Sequence, residues 1–214
     1  MKKLIITTIF LVTGIYLSAQ DSINSVILSM PDDIIYGLQA SQKELLVATD
    51  PADTAVVTVS TNIYPNIKRL SITDSYVSLQ TSDASTTQIK LLPLVNNSKI
   101  ICVVKTVCGG FCDSKIQFYT TDWKSIDGSD LFPRPVIDWF IKPDADRNSD
   151  SFKNAVAVLD LTPIKISLSA RHDTADIEYG ISRYLSADDY EMLKPYLVQE
   201  NKVLVWDKIS FKEK

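Results

Sequence analysis

The sequence has 214 residues, of which 45% are hydrophobic, and a formal net charge of −4. An acidic chain without a run of basic residues lacks the positive surface that nucleic acid and anionic lipid require, so nucleic-acid binding is excluded. The length suits a single domain with its own hydrophobic core.

The N-terminus has the pattern of a secretory signal peptide. Lys2 and Lys3 precede an apolar run from Leu4 to Tyr16, and Ala19 is a small residue where cleavage is expected. A helix that crosses a membrane needs about 20 apolar residues, so a retained anchor is the less favoured interpretation. We predict cleavage after Ala19.

Cleavage there leaves a mature chain without a membrane span. Residues 1–19 are the predicted signal peptide and residues 20–214 the predicted single domain. Loss of two lysines changes the net charge from −4 to −6. We predict that this domain works in the periplasm or at the cell surface.

The first predicted element of the mature domain is helical. Met30-Pro31-Asp32-Asp33 is typical of a helix start, because proline suits the first turn and acids complement the helix dipole. Apolar residues continue at helical spacing to about Thr49, and Asp50-Pro51 ends the segment. One or two short helices are predicted here.

The pattern then changes to short β-branched runs with a period of two. Asn96-Asn97-Ser98 and Gly109-Gly110 mark turns between them. Consecutive strands with short turns predict an antiparallel meander with one apolar face against a helix layer. The predicted strands are Ala55–Ser60, Leu70–Thr73, Tyr76–Gln80, Thr87–Val95, Lys99–Val107 and Lys115–Thr121.

The C-terminal half mixes helices with strands. After a loop over Trp123–Asp130 we predict, in order, a helical turn or short helix at Val136–Ile141, a helix at Ser151–Asp160, a hairpin of Ile164–Ala170 and Asp176–Ile181, a helix from the cap Ser186 to Tyr196, and a strand at Lys202–Asp207. Helices that are separate from antiparallel strands predict an α+β fold.

The mature chain has three cysteines, and two of them flank a glycine-rich turn. Cys108 and Cys112 lie at the ends of two predicted strands, so an oxidising compartment favours a structural disulfide. A free pair and a redox pair are the alternatives, although a redox motif has two intervening residues and a following helix. Cys102 lies in an apolar strand and is expected to be buried.

Several segments resemble one known family. They are Ser29–Asp32, Lys90–Pro93, Ile100–Cys112, Tyr119–Lys124, Tyr184–Ser186 and Leu193–Tyr196. Through them the mature chain resembles the family called domain of unknown function 3256, with Thr-Asp-Trp-Lys and Leu-Lys-Pro-Tyr as the most specific pieces. The resemblance implies a small exported protein of Bacteroidales in the envelope of a Gram-negative cell. It implies no activity.

One polar loop has the spacing of a calcium ligand set. Asp144, Asp146, Asn148 and Asp150 place oxygen atoms at alternate positions, like the first half of a calcium loop. Ser149 and Ala155, however, replace the glycine and the bidentate acid of that loop. The favoured interpretation is a solvated loop that caps the following helix, with no cofactor and with calcium as the weak alternative.

No set of catalytic residues emerges from the sequence. His172 is the single histidine, and no Gly-x-Ser-x-Gly motif is present. Asp53-Thr54-Ala55 and Asp173-Thr174-Ala175 lack the glycine of aspartic-protease loops, and turn formation explains both.

Aromatic residues are the strongest candidates for binding. Trp123, Trp139 and Phe140 are flanked by loops and could form a platform for a sugar or a protein, with core packing as the alternative. We therefore favour a non-enzymatic binding or interaction module whose partner is a protein or glycan of the cell envelope. The alternative hypothesis is a hydrolase whose loop carboxylates meet only in the fold.

Overall fold

The computed structural model describes residues 22–48 and 56–214. The predicted signal peptide, the Asp50-Pro51 stop and Asp53-Thr54-Ala55 lie outside these ranges. No helix in the described ranges is both long and apolar enough to cross a membrane.

The N-terminal segment forms two short helices separated by turns. Helix α1 (Ile23–Leu28) begins at Ser22, whose side chain accepts a hydrogen bond from the Ser25 amide, and helix α2 (Ala40–Val47) follows. The predicted helix start at Met30 is wrong. The chain forms turns there, and Gly37 has a φ of 74°, a left-handed conformation that interrupts a helix.

The next seven strands form one antiparallel sheet in chain order, which confirms the predicted meander. The Cys108–Cys112 disulfide joins the end of its fifth strand to the start of its sixth strand, also as predicted. The short last strand lies within the segment predicted as a loop. The strands are β1 (Thr58–Val59), β2 (Ile67–Thr73), β3 (Tyr76–Ser82), β4 (Ser85–Pro93), β5 (Lys99–Cys108), β6 (Cys112–Thr120) and β7 (Ser125–Ile126).

The C-terminal half forms a second sheet of four antiparallel strands with two helices, which confirms the α+β class. The elements are helix α3 (Asp150–Val156), strands β8 (Ile164–Leu168) and β9 (Thr174–Tyr179), helix α4 (Ala187–Leu193), and strands β10 (Lys202–Trp206) and β11 (Phe211–Glu213). The sheet order is β11-β10-β9-β8. Ser149 and Ser186 cap α3 and α4 with their side chains.

Both faces of the seven-stranded sheet are buried, whereas the sequence pattern predicted that one face would be covered, by a helix layer. Ile101 and Val103 of β5 pack in a cluster with residues of α1 and α2. The alternate residues Cys102 and Val104 pack against the four-stranded sheet and its helices. Side chains of a strand alternate between faces, so two covered faces require the nearly continuous apolar run of β5.

Strand β8 lies at one edge of the four-stranded sheet (the small sheet). Side chains of the seven-stranded sheet (the large sheet) form hydrogen bonds with the backbone groups at this edge. Gln88 Oε1 accepts a hydrogen bond from the Leu168 amide at 2.8 Å, and Gln88 Nε2 donates to the Ile166 carbonyl at 3.2 Å. Ser114 Oγ accepts from the Ile166 amide at 2.9 Å. An unpaired buried backbone group costs free energy comparable to a lost hydrogen bond, so these contacts let the edge be buried.

A buried lysine lies beside this edge. The Lys90 side chain is only 1% exposed, and its Nζ lies 3.3 Å from Asp173 Oδ1. The same ammonium donates to the Ser169 carbonyl at 2.9 Å. A buried charge is tolerated when it is paired and hydrogen-bonded, and both conditions hold here.

The contacts of Gln88 lead to a stability prediction. Gln88→Ala leaves the Leu168 amide and Ile166 carbonyl unpaired, so we expect a loss of about 2 to 4 kcal/mol in the free energy of unfolding. Urea denaturation measures this free energy.

The control is a glutamine without such contacts. Gln117 of β6 is half-buried and its side chain has no hydrogen bond among the described residues. Gln117→Ala is therefore the control, with an expected change of about 0.5 kcal/mol or less. Equal losses in the two variants would contradict the edge-closing role.

Candidate functional site

The segment around Trp139 is held by backbone pairing to the segment after α4. Residues Ile137–Phe140 form a short 3-10 helix that starts after the extended residue Val136. The Lys142 amide donates to the Tyr196 carbonyl and the Val198 amide to the Phe140 carbonyl, each at 2.8 Å. These bonds fix Trp139 next to the chain that enters β10.

Trp139 is half-buried and lies between an aromatic and a cationic neighbour. Its ring centroid is 6.4 Å from that of Phe140, and Lys202 Nζ lies 5.3 Å from the Trp139 ring centroid. Lys202 also pairs with the Glu213 carboxylate. An ammonium over an indole face is attracted by the ring quadrupole, so the three side chains hold one another in place.

A cavity of about 570 Å³ opens beside this cluster. Trp139, Lys202, Glu200 and Asn201 are among the residues that line it, and we call it the Trp139 cleft. Its volume falls within the range of about 300 to 1,000 Å³ that is typical of small-molecule sites. The lining combines the Trp139 ring and apolar side chains such as Ile141 and Val203 with carboxylates, ammonium groups and an amide, which suits a ligand that has both apolar and polar faces.

A smaller cavity of about 240 Å³ adjoins the cleft and shares Val198, Glu200 and Asn201 with it. Tyr179 lines the smaller cavity, and its ring stacks on Phe140 with centroids 4.4 Å apart. The Tyr179 hydroxyl is buried and has no hydrogen-bond partner among the described residues. Burial raises the pKa of Tyr179 above its ordinary value, so the phenol stays protonated.

The smaller cavity also contains two carboxylates, the arrangement that the hydrolase hypothesis requires. Glu178 and Glu200 both line it. Glu178 lies 3.3 Å from Lys165 Nζ in an ion pair on the small sheet. One of the two carboxylates is therefore already neutralised by a cation.

The structure does not bring the three predicted aromatic residues into one surface platform, because Trp139 and Phe140 are neighbours and Trp123 lies on the other face of the sheet. Phe140 is 1% exposed and belongs to the core between the two sheets. Trp123 packs in the other cluster, with α1 and α2, where its indole Nε1 donates to the Val26 carbonyl at 3.1 Å. Trp139 alone of the three lines the cleft, and binding by it stays a prediction.

The loop from Asp144 to Asp150, for which calcium binding is the weak alternative, is organised by internal contacts. Asp146 Oδ1 accepts a hydrogen bond from the Asn148 amide at 3.0 Å, and Ser149 caps α3. Arg147 pairs with Asp138 at 2.8 Å. Within residues 22–48 and 56–214, no three His, Cys, Asp or Glu side chains converge on a metal-sized site, so Asp144, Asp146 and Asp150 are not gathered as ligands.

The remaining candidates are explained by structure. The Cys108–Cys112 disulfide closes the hairpin of β5 and β6, and Cys102 is a buried free thiol whose pKa is raised by burial. His172 is exposed in the turn between β8 and β9, and the amide of this residue donates to Ser169 Oγ at 3.1 Å. Sequence analysis does not identify three residues that line the Trp139 cleft, which are Lys202, Glu200 and Asn201. They belong to no motif and come near Trp139 only in the fold.

Comparisons with known proteins give a family and a related fold. A family model described as "Protein of unknown function (DUF3256)" matches residues 15–211. One similar solved structure is described as "Structure of a domain of an uncharacterized protein from Porphyromonas gingivalis W83". It is 25% identical with a TM-score of 0.80, and the match covers 90% of this chain and 97% of that chain. No curated protein matches the sequence.

The unpartnered hydroxyl of Tyr179 leads to a prediction. Tyr179→Phe removes a buried donor that makes no hydrogen bond, so we expect the free energy of unfolding to stay unchanged or to rise by up to about 1 kcal/mol. The control is Tyr76→Phe, because the Tyr76 hydroxyl donates to Gln88 at 3.2 Å. The control is expected to lose about 1 kcal/mol. Chemical denaturation of both variants measures the difference, and a larger loss for Tyr179→Phe would show that its hydroxyl is bonded.

Proposed function

For a member of the DUF3256 family, to which this chain belongs, we propose a non-enzymatic binding module of the cell envelope. The ligand is a polar glycan, and it binds in the Trp139 cleft. The observation that carries the proposal is the half-buried indole at the wall of a cavity of about 570 Å³ whose lining also includes apolar, charged and amide side chains.

The mixed chemistry of the lining suits a sugar, which presents both apolar C–H faces and hydroxyl groups. The face of an indole packs against the C–H groups of a sugar ring, while carboxylates and amides bond its hydroxyls. Glu200 and Asn201 supply these groups on the same loop, and Asn201 is oriented by a hydrogen bond of 2.7 Å from its Nδ2 to Asp176 Oδ1.

The cleft is also preorganised, which supports binding without a large ordering cost. Trp139 is fixed by its neighbour Phe140 and by Lys202, and Lys202 is fixed in turn by Glu213. Side chains that are already ordered lose less conformational entropy when a ligand binds. An aromatic residue held in this way is the usual energetic centre of a binding surface.

The proposal predicts that binding depends on Trp139. In calorimetric titration with soluble peptidoglycan fragments, we expect Trp139→Ala to weaken affinity about tenfold or more, because the indole supplies the main contact area. Trp123→Ala is the control, since it removes a second half-buried indole on the other face of the sheet. It should lose stability but keep affinity.

Three results would contradict the proposal. Equal affinities of the Trp139→Ala variant and the unaltered protein would remove the cleft from binding. The absence of any glycan binding, together with retention of a protein from envelope extract, would favour a protein partner. Cleavage of the glycan on long incubation, followed by mass spectrometry, would favour the hydrolase hypothesis with Glu200 as the first residue to substitute.

The envelope location rests on the N-terminal sequence pattern and predicts a processed chain. We expect protein from the periplasmic fraction of expressing cells to begin at Gln20, because signal peptidase cleaves after a small residue that follows the apolar run. Intact-mass measurement and N-terminal sequencing check this. Ala19→Arg should leave the precursor uncleaved, and recovery of full-length protein from the cytoplasm in both cases would contradict export.

A further inference from the structure

A third cavity, of about 190 Å³, lies on the face of the seven-stranded sheet that carries α1 and α2. Tyr36 and Tyr64 line it from the segments that cross this face, and Ser85, Thr87 and Lys105 line it from β4 and β5. Thr87 and Lys105 are directly opposite each other in the sheet.

Lys105 is the single charged residue among the described residues that line this cavity. Its side chain is partly buried, and within the described ranges its ammonium has neither a hydrogen-bond acceptor nor a carboxylate within 4.0 Å. Burial lowers the pKa of Lys105, an effect opposed by the attraction of Asp33 and assisted by the repulsion of Lys115. A partly buried ammonium without a close counter-charge costs free energy, and an anion bound beside it would offset that cost.

Hydroxyl groups beside Lys105 are available for the same ligand. Thr87 is 3% exposed and Ser85 is half-buried. Neither hydroxyl has a hydrogen-bond partner among the described residues, whereas the Thr81 hydroxyl nearby donates to the Ser85 carbonyl at 3.4 Å. Free hydroxyls next to a cation are suitable donors to a carboxylate, because such charge-assisted bonds are stronger than neutral ones.

We propose that this cavity binds the carboxylate group of a small ligand, with Lys105 Nζ as its counter-ion and the Ser85 and Thr87 hydroxyls as donors. The local charges favour a single negative charge. Lys105 is the single charged residue among the described residues that line the cavity, so it compensates one negative charge. A dianionic phosphate would remain partly uncompensated.

The aromatic residues at this cavity define the rest of the ligand. Tyr36 is 57% exposed and Tyr64 is half-buried, so both rings can contact a group attached to the carboxylate. Their phenols and rings suit a ligand that is part apolar and part hydroxylated, such as a sugar acid. This site lies on the opposite face of the sheet from the four-stranded sheet, and its ligand does not depend on the Trp139 cleft.

The test uses a charged and a neutral probe of the same shape. We would titrate the purified, isotope-labelled protein with sodium glucuronate and with glucose, and follow the amide resonances of β4 and β5 by NMR. We expect saturable shifts near Thr87 and Lys105 with glucuronate and none with glucose. Inorganic phosphate, added in a third titration, should bind more weakly than glucuronate.

Substitution of the cation separates this site from general charge effects. Lys105→Met should weaken glucuronate binding about tenfold or more, because the buried carboxylate would lose its only close counter-ion. Lys153→Met, an exposed lysine of α3, makes the same change in net charge and should leave affinity unchanged. Lys105→Met should not lower the melting temperature, since it removes a desolvated charge without a partner.

Four results would overturn the proposal. They are equal binding of glucose and glucuronate, tighter binding of phosphate than of glucuronate, undiminished binding by Lys105→Met, and the absence of saturable shifts with glucuronate up to tens of millimolar. Because Trp139→Ala leaves this cavity intact, binding of glucuronate by that variant distinguishes failure here from failure of the cleft.

Discussion

The free edge of β8 is the constraint on which the C-terminal half of this protein depends. A buried strand edge must find partners for its amides and carbonyls, and among the described residues no fifth strand of the small sheet supplies them. Gln88 and Ser114 of the large sheet do so from the side. Asp113 adds a longer contact of 3.4 Å to the Ile164 amide. The two sheets are thereby fixed in one register, because each of these hydrogen bonds joins one side-chain atom to one particular backbone group of β8.

This locking extends to the Trp139 cleft through the small sheet. Strand β9 pairs with β8 on one side and with β10 on the other. Tyr179 lies at the end of β9 and supports Phe140, while Lys202 begins β10 and lies over Trp139. Strands β9 and β10 therefore position the residues of the cleft, and their own position depends on the hydrogen bonds at the edge of β8. Sites on rigid elements of this kind are more accurately placed than sites on loops alone.

The large sheet separates two kinds of surface chemistry. On the face of the small sheet, an indole and mixed polar groups form the cleft. On the face of α1 and α2, Lys105 is a cation without a partner among the described residues. The proposed anion site needs the cover on its own face, since a solvated face would hydrate Lys105 and weaken its attraction for an anion. The four-stranded sheet on the other face supplies Lys202 of the Trp139 cleft.

The sequence by itself determined the local elements. The period-two runs and their turns predicted the meander, and the spacing of Cys108 and Cys112 across a glycine turn predicted the disulfide. Ser186 predicted the start of α4. Each of these features depends on residues that are close in sequence. Tertiary structure decided which face each element covers. It put Trp123 and Trp139 on opposite faces and buried Lys90 against Asp173, since these outcomes depend on contacts between residues distant in sequence.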